Sequence, residues 1–147
     1  MVPINYIMLL MFTLCEAYLV ASVAAVSDPE AVICAAFSTA AIVLAIMVFS
    51  WFNKVDFTYF APIIIVVAMS MCMLSIFIFA FHFRALKVVY CTLGVIIFSL
   101  YLLVDTQLIM GGNRYSVGID DYILGALILY SDIIMIFLYL LRLFGGR

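Results

Sequence analysis

Five apolar stretches, each long enough to cross a bilayer, constrain this sequence more than any other feature. A helix needs roughly 20 apolar residues to cross about 30 Å of hydrocarbon. The stretches lie at about 4–26, 31–52, 59–81, 86–110 and 122–144. Lipid cannot satisfy open backbone groups, and the alternation that is typical of barrel strands is absent. The sequence therefore predicts an all-α, polytopic membrane bundle of five transmembrane helices, forming a single domain over residues 1–147.

The composition points to the same class of protein. Hydrophobic residues make up 71% of the chain and charged residues 10%, whereas about a quarter of a soluble domain is charged. The net charge of -2 is too small to indicate nucleic acid as a partner. The four cysteines stand apart, without the Cys and His spacing of a metal site. The lipid bilayer is the first predicted partner, and no cofactor is expected.

The connections are short, so consecutive helices are expected to run antiparallel. In the first connection, Ser27 and Glu30 have the spacing of a capping box and Pro29 suits the first turn of a helix. Basic residues lie mainly on one side of the predicted bundle. Lys54 and Arg114 are on one side, and on the other are Arg84, Lys87, Arg142 and Arg147. This asymmetry favours a cytoplasmic C-terminus.

Three acidic residues interrupt the apolar stretches: Glu16, Asp105 and Asp132. An acid at the centre of a membrane helix costs about 2.5–3.5 kcal/mol on insertion scales. All Lys and Arg residues lie in the connections or near the ends of spans, so none lies at the depth of these acids to offset that cost. The three acids are therefore expected to be protonated, to share a proton, or to meet water or a cation.

Asp105 and Asp132 are expected to lie at a similar depth. At 1.5 Å per residue they are about 9 Å and about 15 Å from the helix ends that one loop joins. If both face the bundle, their carboxyl groups meet and titrate as a unit, which describes a proton-sensitive latch. The alternative is a structural hydrogen bond that locks two helices. Glu16, near the middle of the first span, is open to the same two interpretations and is a candidate for an ion pathway.

Several strings, taken in order, resemble the Bax-inhibitor/lifeguard family, also called the transmembrane Bax inhibitor motif family. They are "PIN" at 3–5, "FTLCEAY" at 12–18, "NKVDFT" at 53–58, "VDTQLIMGG" at 104–112 and "DYILGALILYSDIIMIFLYLLRLFG" at 121–145. The resemblance covers nearly the whole chain, and its last two strings are the most specific.

The resemblance implies a helical bundle wrapped around its last helix. It implies a protein that suppresses cell death and influences calcium release from intracellular stores, with bacterial relatives that act as pH-sensitive calcium leak channels. It places the proton-sensing and gating pair at Asp105 and Asp132, with calcium bound there transiently, and matches Glu16 to an acid on the family's third span. The expected location is the endoplasmic reticulum, the Golgi or another endomembrane, with the plasma membrane as the alternative.

The chain departs from the family pattern in one respect. It matches from the family's third span onward, so it is expected to be a shortened member that lacks the first two. The topology of the family would place Arg142 and Arg147 on the lumenal side, opposite to the indication from the basic residues.

Three functions compete on this basis. The first is a regulator of calcium homeostasis and apoptosis that acts as a pH-gated calcium leak. The second is a non-conducting interaction protein that packs against related membrane proteins or death regulators. The third, an intramembrane aspartyl protease, is disfavoured because the second aspartate lies in "LYSD" rather than in a G-x-G-D string. The chain is therefore not expected to be an enzyme.

Overall fold

The computed structural model describes residues 2–81, 84–111 and 121–145, and every regular element in these ranges is helical. The predicted all-α class is confirmed. The elements are α1 (Val2–Ala25), α2 (Pro29–Phe52), a 3-10 turn (Phe57–Phe60), α3 (Ala61–Phe81), α4 (Arg84–Met110) and α5 (Tyr122–Phe144). Each of the five long helices is long and apolar enough to cross a membrane.

The capping box expected between α1 and α2 does not form. Asp28 occupies the N-cap position of α2 without a side-chain capping hydrogen bond, and Pro29 occupies the first turn as predicted. The Ser27 hydroxyl instead donates to the Val23 carbonyl oxygen, 2.8 Å away, at the end of α1. Because that hydroxyl is already engaged with the preceding helix, it does not satisfy the free N–H groups at the start of α2.

Two helices, α4 and α5, share the centre of the bundle. They make the most extensive pairing in the molecule, and α2 packs against both of them. Helix α3 packs against α4, and α1 packs against α5. The last helix is therefore central, as the family resemblance implies, but it shares that position with α4. The largest fully buried side chains among the described residues all come from this pair, and they are Leu102, Ile136, Leu141 and Cys91.

The outer faces of the helices are apolar and exposed. Phe79 is 81% exposed and Phe52 is 80% exposed, which is far more than a water-soluble bundle tolerates over five helices. Hydrocarbon is the environment that such faces fit. Helix α1 is the most peripheral element, since none of its described side chains is buried.

A glycine allows α4 and α5 to approach closely. A Cβ atom at Gly94 would lie 2.4 Å from Cε1 of Tyr139 and 2.8 Å from its Cγ. The Tyr139 ring stacks on Phe98, with centroids 5.6 Å apart, and its hydroxyl is 3.1 Å from that of Tyr90. The ring therefore fills the space that a side chain at position 94 would need, which brings the two helices into register along their seam.

Candidate functional site

The structure brings Asp105 and Asp132 together across the seam between α4 and α5. Asp132 is buried, with 7% of its surface exposed, and Asp105 is partly buried. The two side chains lie within hydrogen-bonding reach of each other. Helices α4 and α5 pack against each other and bring the two residues, expected at a similar depth, into contact across this pairing.

The contact requires a proton. Two carboxylates are both acceptors, so a hydrogen bond between them exists only when one of them carries hydrogen. Oδ2 of Asp132 is buried, and no donor from the described residues reaches it. A fully ionised pair would leave this oxygen without a partner and place two like charges side by side, and one shared proton removes both problems.

The described surroundings of the pair contain no cation. The groups that act on the two carboxyls are the carboxyls themselves, together with burial. Tyr101, one turn before Asp105 on α4, lies close enough to interact electrostatically with both. Without a positive charge nearby, the local means of stabilising the pair are a proton or an incoming cation.

Glu16 is not brought to the pair. It is partly exposed on α1, and it is not among the groups that act on Asp105 or Asp132. Helix α1 meets α5 through Phe12, whose ring packs edge-on against Tyr130 with centroids 6.4 Å apart. The candidate ion-pathway residue and the aspartate pair are thus two separate places in the described structure.

The two carboxyl groups do not by themselves provide the ligands of a resident calcium site. Among the described residues, no group of three or more His, Cys, Asp or Glu side chains is placed to hold a metal. Calcium takes six to eight oxygen ligands, and the pair offers four carboxylate oxygens. An ion at this point would keep water or use backbone carbonyls to complete its shell.

Gln107 is a structural residue that the sequence reasoning missed. It is buried, and its amide Nε2 donates to the Val55 carbonyl at 2.9 Å while its Oε1 accepts from the Phe57 N–H at 2.8 Å. These two bonds fasten the connection between α2 and α3 onto α4, two residues beyond Asp105. The signal that could have found it is an uncharged amide inside an apolar stretch, since a buried amide needs partners.

The same connection forms a polar pocket at the end of the bundle. Its volume is about 210 Å³, and its lining includes Asn53, Lys54, Asp56 and Gln107. Oδ1 of Asp56 accepts from the Thr58 N–H at 3.0 Å and so caps the 3-10 turn, while its Oδ2 is buried without a described partner. This pocket opens at the end of the helices that is nearer to Asp105.

A larger, apolar cleft of about 640 Å³ lies between α1, α2 and α5. Small side chains line it on two helices, including Ala17 and Ala21 on α1 and Ala36 and Ala40 on α2. The Thr39 hydroxyl in its wall donates to the Ala35 carbonyl of its own helix at 2.7 Å. The cleft therefore offers contact surface rather than polar ligands.

Comparison with known proteins shows the family of the chain. The family model described as "Inhibitor of apoptosis-promoting Bax1" matches residues 2–147. The chain belongs to this Bax-inhibitor family. It is 35% identical over 149 residues to Protein lifeguard 3 of Mus musculus and equally to that of Homo sapiens, in each case over 99% of this chain and 48% of the relative. It is 29% identical over 140 residues to Protein lifeguard 4 of Mus musculus, over 95% of this chain and 57% of the relative. The chain thus spans about half the length of the curated relatives it matches.

Proposed function

We propose that this Bax-inhibitor family member regulates cell death and calcium homeostasis from an endomembrane of the endoplasmic reticulum or Golgi. In this proposal the Asp105–Asp132 pair is a proton-sensitive latch on a calcium leak. The observation that carries the proposal is the direct approach of two carboxyl groups within a membrane bundle, with no cation beside them in the described structure. The family names supply the link to cell death.

The latch follows from the chemistry of two carboxyls. With one proton shared, a hydrogen bond holds α4 against α5. When that proton is lost, two unit charges about 4 Å apart repel by about 4 kcal/mol at an effective dielectric near 20. This exceeds the typical gain from an interhelical hydrogen bond in a membrane, about 0.6–2 kcal/mol. The helices would separate at this level, and a calcium ion could replace the proton because carboxylate oxygens are its preferred ligands.

The test is calcium flux through the purified chain in liposomes, measured over a range of pH. The proposal expects flux to rise as the pH is raised and the shared proton is lost. Asp132→Asn keeps a side chain that donates a hydrogen bond to Asp105 without needing a shared proton, so flux should become low and lose its pH dependence. Ser131→Ala is the matched control, because the Ser131 hydroxyl donates to the Leu127 carbonyl of its own helix at 2.9 Å and to no other group in the described ranges. Unchanged flux and pH dependence in Asp132→Asn would remove the latch.

Glu16→Gln tests the expected ion pathway separately. If Glu16 lines the route of the ion, the variant lowers flux at every pH without changing the shape of the pH profile. If the route does not pass Glu16, the variant behaves like the wild-type chain. A changed pH profile would contradict the separation of Glu16 from the aspartate pair.

A second candidate function is that of a non-conducting protein that acts by helix packing. The observation in its favour is the apolar cleft between α1, α2 and α5, together with the absence of buried side chains among the described residues of α1. The proposed partner is a full-length family member. Absence of calcium flux in the pure chain, combined with co-purification with such a relative, would favour this function over the leak.

Neither candidate function gives the aspartates a catalytic step. Cleavage of a transmembrane substrate that is lost in Asp105→Asn would overturn both.

A further inference from the structure

The end of the bundle opposite the polar pocket carries a second feature, a small pocket of about 120 Å³. It lies where the start of α4 meets the end of α5. Its lining combines three basic side chains with apolar or sulfur-bearing ones, namely Arg84, Lys87, Val88, Cys91, Arg142 and Leu143. No acidic residue contributes to this lining, so the pocket has a net positive character.

The three basic residues line one pocket from two different helices. Lys87 and Arg142 come from different helices, yet both act electrostatically on the thiol of Cys91. Cys91 is buried, with 1% of its surface exposed. Both residues therefore lie within electrostatic range of the same buried thiol, and Arg84 borders the pocket one turn ahead of Lys87.

Nearby acids do not neutralise the three cations. Arg142 also borders a neighbouring pocket whose lining includes Asp28 and Ser27 from the connection between α1 and α2. No ion pair joins Arg84, Lys87 or Arg142 to an acidic residue within the described ranges. Because like charges held together destabilise a site unless an anion joins them, the arrangement calls for a negatively charged ligand.

The surroundings of the pocket indicate which source of negative charge fits. Val88 is 49% exposed, Val89 is 53% exposed and Phe144 is 44% exposed. These exposed apolar residues adjoin the pocket, because Val88 lines it and Val89 and Phe144 directly follow two of its lining residues. A phospholipid carries a phosphate group together with acyl chains, whereas free phosphate has no apolar part to contact this surface. Basic pockets between membrane helices are a known way of holding anionic headgroups.

We propose that Arg84, Lys87 and Arg142 form a binding site for the headgroup of an anionic phospholipid at the junction of α4 and α5. The guanidinium groups of Arg84 and Arg142 would bind the phosphate through pairs of parallel N–H···O hydrogen bonds, as arginine does with carboxylates and phosphates. The acyl chains would lie along the exposed faces beside Val88 and Phe144. This site is independent of the aspartate latch, which lies nearer the other end of the same two helices.

The test is native mass spectrometry of the whole chain, released from detergent in the presence of phosphatidylserine or phosphatidylcholine. Phosphatidylserine should be retained and phosphatidylcholine should not. Each basic residue near anionic lipid contributes about 1 kcal/mol, which is about a fivefold change in affinity. Arg142→Gln should therefore weaken the binding of phosphatidylserine about fivefold, and the triple change to Gln should abolish its retention. Lys54→Gln removes the same charge at the opposite end and should leave retention unchanged.

Each other result has a definite meaning. Equal retention of both lipids, or an equal loss in Lys54→Gln, would overturn the site. If inorganic phosphate alone displaces the lipid and stabilises the chain against heat as strongly, the ligand is a free oxyanion and the lipid assignment is wrong. If the triple variant does not fold, the three single variants decide, since each should weaken phosphatidylserine while Arg142→Lys retains most of the affinity. Failure of this test leaves the calcium flux experiment unaffected, because the two sites share no residue.

Discussion

Replacing Gly94 by alanine is the perturbation whose effect the structure defines most closely. The added Cβ would lie 2.4 Å from Cε1, 2.5 Å from Cδ1 and 2.8 Å from Cγ of Tyr139. Rotating the ring about its own axis cannot clear a contact that includes Cγ, the root of the ring. Either the Tyr139 side chain must leave its rotamer or α4 and α5 must move apart.

The surrounding contacts oppose both adjustments. The Tyr139 ring is stacked on Phe98 at an interplanar angle of 30°, and its hydroxyl is held by Tyr90. Overpacking of this kind costs about 1–3 kcal/mol, and the lack of an easy escape places Gly94→Ala near the upper value. Alanine regains about 1 kcal/mol of helix propensity over glycine. The expected net loss in the free energy of unfolding is therefore about 2 kcal/mol.

The assay is reversible unfolding in mixed micelles, followed by helical circular dichroism as the denaturing detergent is increased. Gly125→Ala is the matched control on α5, because its Cβ would lie 3.4 Å from the Ile109 side chain, an ordinary contact. It should be neutral or slightly stabilising. In a Tyr139→Ala background the clash is absent, so Gly94→Ala should no longer destabilise. An equal loss in both backgrounds, or no loss in the wild-type chain, would refute the reasoning.

Two further predictions concern hydrogen bonds at opposite ends of the bundle. Gln107→Leu leaves the Phe57 N–H and the Val55 carbonyl without their partner, so it should lower the free energy of unfolding by about 1–3 kcal/mol in the same assay. It should also increase proteolysis in the connection between α2 and α3. Resistance to protease equal to that of the wild-type chain would contradict this prediction. Tyr90→Phe removes one hydroxyl from the pair with Tyr139 and should cost about 0.6 kcal/mol, while a loss above about 2 kcal/mol would show that the hydroxyl has a further partner.

The fold class could be predicted from the sequence because bilayer thickness leaves little freedom. An apolar stretch of sufficient length must be a helix, and short connections make neighbours antiparallel. Gly94, Phe98 and Tyr101 have the spacing of one face of α4, and Phe98 packs on Tyr139 of α5 beside Gly94. The cap of α2 did not follow, because a serine at the end of one helix can bond backward to that helix, as Ser27 does, instead of forward to the next.

The candidate site shows where such prediction stops. Asp105 and Asp132 could be paired from their depth and from the cost of an isolated charge in lipid. Their functional role is a proposal that the geometry supports. Glu16 carries the same cost of placing an acid in lipid, yet it lies on peripheral α1, away from the pair. Its position could not be predicted, because the pattern of a helix that is apolar all round does not indicate which face packs against the bundle. The structural role of Gln107 was not predicted, because its partners are backbone groups of a distant connection and residue types do not identify backbone partners.

The most direct measurement is the protonation state of the aspartate pair, read by infrared difference spectroscopy between the wild-type chain and the Asp105→Asn/Asp132→Asn double variant. If the two residues share one proton, the wild-type spectrum at neutral pH contains a protonated-carboxyl band that the double variant lacks. As the pH is raised, that band should disappear over the same range in which calcium flux appears. A wild-type spectrum with no such band, or a band that persists while flux rises, would contradict the shared proton and with it the latch.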